Sequence, residues 1–592
     1  MTQPAVTITE LDGALGNLAT GGLLALVGAS SKGPLNIPAT FARIADVQAN
    51  FGTGPLVEAA ARAIDLYGQP VCVVRAGMLG TPGEYGPIDV SGVTGTSVAT
   101  TDEASPPLGS YEVELTVTTG GTIGSAGIML TSSLDGGTTT SPAQALGTAA
   151  SITIPSSGVK INFAAGTLVT GDVITVSTTA PIPGTPVGAY SDIDVTGVTG
   201  TSVATLDETV KPFDSYQVVI KVVAGGTLGV AGIQLTVSLD NGNTTSQPQA
   251  VGVDLFFTIT EANIKVLFAA GTLVAGDVIT FSSFAPNPDS TTYGTALTAL
   301  GNSQVAWRVC EIVGTVDAAT AGAIDQKFVG LQAAHKPRYF IANTRLPDFI
   351  VGETAAEYLE DLSTAFADFA TKFGSVAAGA VQLPSSVSGR QYKVPVNYAA
   401  GPLIASVDED VDVADINIGV LPGAKLTDTN GNPILGLHDE SLNPGLDDAR
   451  FLTLRTWVGV QGVYVNRPRV MSATGSDFYL VPHRLIMNLA EDALYQYLIR
   501  RLNQGVPVNK KTGFIVESAR LEIEAGGTAA MAAVLLAKPK ASDCSFALSK
   551  FDNVLSTKTL TGEARVLPFG YVEEIKVNIG YVNPALRVLV AA

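Results

Sequence analysis

The nine residues GVTGTSVAT occur twice, starting at Gly92 and at Gly197, and the offset of 105 residues (197 − 92) persists well beyond them. Tyr111 and Tyr216, Asp135 and Asp240, and Gly166 and Gly271 keep the same spacing, so no insertion or deletion separates the copies. A period this long marks a duplicated domain and not a solenoid. Each copy is rich in Thr, Val, Ile, Gly and Ser. The runs YEVELTVT and YQVVIKVV alternate apolar and polar residues, the period of a strand with one face in a core. DGG at Asp135 and DNG at Asp240 supply hairpin turns, and GTLVTGDVITVS and GTLVAGDVITFS read as the closing strands. Neither copy shows a helical period. Residues 86–183 and 191–288 are therefore expected to be two copies of one small β-sandwich, joined through PGTPVGA. Spacer or decoration roles suit them better than ligand binding, and no residue set in them marks a site.

The flanking sequence has a different grammar. LLALVG and VCVVRAG are short continuous apolar runs, as in strands buried on both faces, with the helical stretches ADVQANFG and PLVEAAARAIDLYG between them. After Tyr293 the alternation returns, with QVAWRVCEIVG, a helix over Ala318–Ala334, RYFIANTR, an amphipathic helix over Ala355–Phe373 and AAGAVQL. Residues 21–85 and 295–445 then form one discontinuous α/β domain, and 446–583 a C-terminal α+β domain. The expected fold class is a multidomain α/β and α+β core, mixed sheets with packed helices, carrying two tandem inserted all-β sandwich domains.

Within the C-terminal domain, Leu485, Ile486, Leu489, Ala493, Tyr497 and Leu498 recur at helical spacing, and Arg500 and Arg501 close the last turn, where a helix favours cations. A second helix over Glu517–Ala537 is expected to break at Gly526 and Gly527. Two apolar-alternating strands, Val572–Ile579 and Leu586–Val590, end the chain, and an extended segment with Val6 and Ile8 begins it. Residues 1–20 and 584–592 read as terminal arms.

Composition excludes several functions. Against 53 acidic residues stand 34 basic ones, a net charge of −19, which disfavours nucleic acid or an anionic membrane as partner. Cys72, Cys310 and Cys544 are widely spaced, lack zinc spacing and read as buried small hydrophobes in a reducing compartment. MTQPAVTITELDG lacks the basic and apolar regions of a secretory signal, so synthesis and folding in the cytoplasm are expected. GASSKGPL departs from phosphate-loop spacing. His335, His438 and His483 lie far apart and form no metal motif. Asp408, Glu409, Asp410 and Asp412 lack the glycine and distal carboxylate of a calcium loop and read as a solvated acidic loop. No nucleophile, base and orienting group assemble. Catalysis, cofactors and metals are not expected.

The order of motifs at both ends resembles the tail sheath proteins of contractile bacteriophages. LLALVGASSKGPLNIPATFARIADVQANFG with VCVVRAG resembles the family's opening pattern. VQGVYVNRPRVMSATGSDF, HRLIMNLAEDALYQYLIRRL and TLTGEARVLPFGYVEEIKVNIGYVNP resemble its C-terminal pattern. The likeness covers residues 20–80 and roughly 295–592 and leaves out the two repeats. It implies a structural subunit that polymerises as stacked hexameric rings around a tail tube, with baseplate and tail terminator proteins as further partners. Contraction would drive the tube through a host envelope, in a virion tail assembled in the host cytoplasm. It also implies terminal arms that add strands to neighbouring subunits, here mapped to Val6, Ile8, Leu586, Val588 and Val590. The tube-facing element maps to the helix His483–Leu502, with Arg484, Arg500, Arg501, Lys510 and Lys511 as a basic strip. Neither nucleic acid nor membrane insertion enters this reading. The alternative is a secreted or cell-surface adhesin with sandwich repeats.

Overall fold

The computed structural model describes residues 22–77, 83–107, 109–155, 157–179, 186–349, 352–418, 420–428, 430 and 432–580. Residues 76–187 form one compact unit, and the rest of the chain forms the other.

The core of the larger unit is a six-stranded sheet in the order Ala39–Phe41, Val71–Arg75, Leu23–Gly28, Trp307–Ile312, Tyr339–Asn343, Gly374–Ala377. All neighbours run parallel except the Ala39–Phe41 edge strand, which is antiparallel. Its central strands are buried along almost their whole length because helices cover the sheet, which is why they read as continuous apolar runs. The helices are α1 (Ile44–Phe51), α2 (Pro55–Tyr67), α3 (Ser290–Asn302), α4 (Ala318–Ala333), α5 (Ala355–Ala365) and α6 (Asn397–Ser406). Thr354 opens α5 with a capping box: its hydroxyl accepts from Glu357 N–H and the Glu357 carboxylate accepts from Thr354 N–H. The amphipathic stretch expected to reach Phe373 stops at Ala365. Beyond it Thr371 bonds to the Met471 carbonyl and the Asp325 carboxylate, which draws the chain into the last sheet strand.

Both repeats are all-β and share one plan. In each, a larger sheet and a three-stranded sheet contribute side chains to a single apolar cluster. Val113, Leu115, Val117, Ile161, Phe163, Ile174 and Val176 fill the first cluster; Val218, Ile220, Val222, Val266, Phe268, Ile279 and Phe281 fill the second at the same repeat positions. The duplicated motif gains its meaning from one aspartate. Asp172 accepts from Thr94 N–H (2.8 Å), Thr94 Oγ1 (2.7 Å), Gly95 N–H (3.2 Å) and Val169 N–H (2.7 Å). Asp277 takes the same four from Thr199, Gly200 and Val274. A carboxylate with two oxygens is needed to satisfy that many loop donors at once.

The C-terminal part adds α7 (Val481–Leu498), α8 (Glu517–Leu535) and an antiparallel ribbon of Ala541–Leu548 with Gly562–Pro568. The expected break in α8 does not occur: the helix runs unbroken through Gly526 and Gly527. A Cβ at Gly526 would lie 2.1 Å from Tyr497 Oη, and one at Gly527 would lie 2.5 Å from Phe546 Cδ1. The glycines therefore permit close packing against α7 and the ribbon, which outweighs their helix cost of about 1 kcal/mol each.

The acidic loop is also corrected. Glu409 is 1% exposed, accepting from Arg308 Nη1 at 2.6 Å and from Lys540 Nζ. Arg308 Nη2 donates further to the carbonyls of Ile404, Ala405 and Val407 at the end of α6. One carboxylate thus ties the sheet to the start of the C-terminal ribbon. Cys72, Cys310 and Cys544 are buried free thiols.

Candidate interaction surface

The ribbon alternates because only one of its faces is covered. Ala541, Cys544, Phe546 and Leu548 point into a cluster with Ile486, Ala490, Ile523, Met531 and Leu535 of α7 and α8. Its two edges differ. Phe546 N–H donates to Thr528 Oγ1 (3.0 Å) and Leu548 N–H to Glu524 Oε1 (2.7 Å), so α8 side chains close that edge of the first strand. Strand Gly562–Pro568 pairs with Ala541–Leu548 alone among the described residues, and Glu563, Ala564, Arg565 and Leu567 are exposed. A two-stranded ribbon is marginal in water, and an unpaired edge is a template for another strand.

Downstream of that edge the expected strand Val572–Ile579 is not a strand among the described residues. Residues 569–580 form no regular pairing. The first part is tethered: Tyr571 Oη donates to the Asp410 carbonyl at 2.6 Å, and Arg467 lies 3.5 Å from Glu573. Beyond that the chain leaves the body, with Ile575 79%, Val577 70% and Ile579 95% exposed. These residues alternate with Glu574, Lys576 and Asn578, so in extended chain they share one apolar face. Their sequence pattern is that of a strand, but among the described residues no strand pairs with it. The arm residues Val6, Ile8, Leu586, Val588 and Val590 lie outside the described residues.

The basic strip must be redrawn. Arg484 is 1% exposed, packed between the rings of Phe373 (5.3 Å) and Phe478 (5.2 Å) and donating Nε to Asn488 Oδ1 at 2.7 Å. Burial holds its pKa down, with Glu491 opposing. It faces inward because Phe373, Phe478 and the Asn488 amide pack around it. Arg500, Lys510 and Lys511 are exposed, in the segment between α7 and α8. Arg501 joins them but pairs with Glu522 at 3.3 Å and lies over the Tyr497 ring. No sequence signal short of the tertiary contacts distinguishes Arg484 from these four.

Among the described residues no group of His, Cys, Asp and Glu is arranged to hold a metal ion, and no helix is long and apolar enough to cross a membrane. His438 is buried, its Nε2 3.0 Å from Glu440 Oε2.

Several solved structures are similar to the chain at low identity. A sheath tail protein from Listeria innocua is 12% identical, with 92% of this chain and 95% of that one covered and a TM-score of 0.38. A sheath tail protein from Desulfitobacterium hafniense is 8% identical, with 95% and 100% covered and a TM-score of 0.39. The sheath complex of an extracellular contractile injection system in its contracted state is 14% identical, with 48% and 74% covered and a TM-score of 0.35. No curated protein matches the chain. The family described as DUF2586, N-terminal domain, matches residues 3–469, well over half of the chain, and the chain belongs to that family.

Proposed function

We propose that this chain is the structural sheath subunit of a contractile tail, polymerising as stacked hexameric rings around a tube and shortening to drive the tube through a host envelope. The observation that carries the reading is the exposed, apolar-alternating segment Ile575–Ile579, together with a ribbon whose strand Gly562–Pro568 has only one partner strand among the described residues. A chain with both a spare strand and a vacant edge can be linked to copies of itself by main-chain pairing, which is strong and tolerant of sequence. The terminal arms, through Val6, Ile8, Leu586, Val588 and Val590, extend the same exchange, and the links beside them act as hinges. The order of the motifs at both ends of the sequence supports the same role. In this reading residues 21–85 and 295–445 are the sheath core, 446–583 face the tube, and the two β-sandwich repeats at 86–183 and 191–288 are outward decorations. Arg500, Arg501, Lys510 and Lys511 meet acidic groups of the tube through weak, breakable pairs, while Arg484 has no part in that surface. The role is mechanical and non-catalytic, with baseplate and terminator proteins capping a tail assembled in the host cytoplasm.

Negative-stain microscopy of the purified full chain beside a truncation after Gly570 tests the central claim. Long tubular polymers from the full chain and dispersed, folded subunits from the truncation are expected. Dispersed monomers from both, or equal polymers from both, refute it. Reversing the charge of Arg500 and Arg501 should weaken tube docking and leave the subunit folded; unchanged docking removes the tube assignment.

A further inference from the structure

The second repeat is joined to the core by a buried cluster that its sister copy does not encode. Arg390, at the turn between strands Ala380–Pro384 and Gln391–Pro395, is 5% exposed. Its Nη1 donates to the Ser215 carbonyl at 2.8 Å and its Nη2 to Asp214 Oδ2 at 2.5 Å, both acceptors belonging to the second repeat. Glu58 Oε1, from α2, stands 3.7 Å from the same Nη2. The rings of Tyr216 and Tyr392 each have their centroid 4.5 Å from the guanidinium carbon, so the cation packs on two aromatic rings. Ser385 Oγ donates to the Glu58 carboxylate, 3.0 Å from Oε1 and 2.7 Å from Oε2. One cation therefore faces two carboxylates, and all three groups are buried.

Two further observations give this cluster its weight. A half-open cleft of about 400 Å³ borders it, with Glu58, Asp214 and Arg390 themselves in its wall beside Val57, Leu239 and Glu261. Apolar packing across the joint is thus incomplete, and docking rests more heavily on the polar contacts. The repeats also diverge here. Ser215 and Tyr216 match Ser110 and Tyr111 of the first copy, whereas Asp214 corresponds to Gly109. The interior of the fold needs no aspartate at this position, so its place in one copy answers to Arg390.

We propose that the Glu58–Arg390–Asp214 cluster is a proton-linked clasp that docks the second repeat on the core, tight in mildly acidic surroundings and loosened as they become alkaline. With one guanidinium between two buried carboxylates, binding one proton leaves the cluster neutral and losing it leaves a buried net charge. Burial first, then the Asp214 charge, push Glu58 up to about 7, against Arg390 and the Ser385 and Tyr392 hydroxyls. Burial also raises Asp214, opposed mainly by Arg390. Other groups face the site: Glu261 across the cavity, Tyr216 and Tyr392 on the guanidinium, Arg62 of α2 toward Tyr392, and Asp240, which accepts from Gln391 N–H. None supplies a second cation against Glu58 as near as Arg390. Because docking raises the Glu58 value, docking takes up a proton. Its contribution is complete below the ordinary glutamate value of 4.5 and is lost as pH rises through about 7.

Hydrogen exchange of the full chain, corrected for intrinsic rates, tests this across roughly pH 5.5 to 8.5. Peptides spanning residues 212–217 and 384–392 should lose protection by about tenfold or more toward the alkaline end. Protection within Val218–Val222, inside the repeat, should hold. The Glu58→Gln variant should abolish most of the pH dependence, and Asp214→Gly should lower junction protection throughout. Flat protection in the parent chain, an undiminished slope in Glu58→Gln, or parallel loss within Val218–Val222 would each overturn the clasp.

Discussion

Replacing Glu409 with Ala isolates what its buried carboxylate does at the junction of core and C-terminal part. Its side chain is 2% exposed and serves two cations, Arg308 (11% exposed) and Lys540 (13% exposed). Truncation removes the acceptor of Arg308 Nη1, leaving only the three backbone carbonyls on Nη2, and takes the nearer of two acids from Lys540. Its remaining acid is Asp408, 3.7 Å away with a side chain 63% exposed, a screened and weak partner. Breaking a buried pair on one side costs about 3–5 kcal/mol, and with both cations left short of an acceptor a loss within that range is expected. Urea unfolding followed by tryptophan fluorescence measures the loss. The double variant Glu409→Ala/Lys540→Met should recover about 1 kcal/mol or more relative to the sum of the single changes, because the stranded ammonium is gone. A loss below about 1 kcal/mol in Glu409→Ala, or strict additivity in the double variant, would refute the assignment. The pH dependence has a definite sign. Burial alone would raise the Glu409 pKa, but Arg308 and Lys540 outweigh it and hold it below 4.5. Its stability is therefore present above that value and lost as pH falls through the folded one.

Three other outcomes follow from the packing. Gly527→Val puts its first carbon 2.5 Å from the Phe546 ring and should destabilise the α8–ribbon contact by about 1–3 kcal/mol, seen as faster exchange in Ala541–Leu548. Asp277→Ala strands the amides of Val274, Thr199 and Gly200 and should cost about 2 kcal/mol in calorimetry of the full chain. The Asp277 pKa is lowered on balance, with burial opposed by those donors, so the same stabilisation should fade as pH falls below the usual carboxylate range. Glu311 is fully buried with neither carboxyl oxygen hydrogen-bonded among the described residues, and burial raises its pKa well above 4.5. Glu311→Leu should therefore raise the melting temperature at alkaline pH, where the parent chain loses stability as this group ionises; an unchanged or lower value there would contradict it.

Much of the local architecture was legible because it follows from periods within one element. The constant 105-residue offset required equal strand order in both repeats, and Asp135 and Asp240 do hold matching turns, each accepting from a threonine four residues on at 2.8 Å. The apolar runs LLALVG, VCVVR and YFIAN became the buried parallel strands that their lack of alternation implied. The duplicated GVTGT motif looked like strand and turn, but its role in surrounding Asp172 and Asp277 required the closing strand, some 77 residues later, to return beside it.

Where partners come from separate elements of the fold, the sequence was silent. Arg484 and Arg500 look alike as arginines on one helical stretch, yet only the position of Phe373 and Phe478 decides that one is buried and the other exposed. Glu409 reads as one acid among four until Arg308 and Lys540 close on it from 101 and 131 residues away. Gly526 and Gly527 look like a helix break until Tyr497 and Phe546 are pressed against them. The sequence by itself determined the repeat, the strand and helix periods and the apolar alternation over Val572–Ile579, because each arises from the order of neighbouring residues. The tertiary structure alone decided which charges are buried, which glycines are packed and which alternating segment stays unpaired among the described residues, because burial and pairing depend on what separate segments bring to the same place.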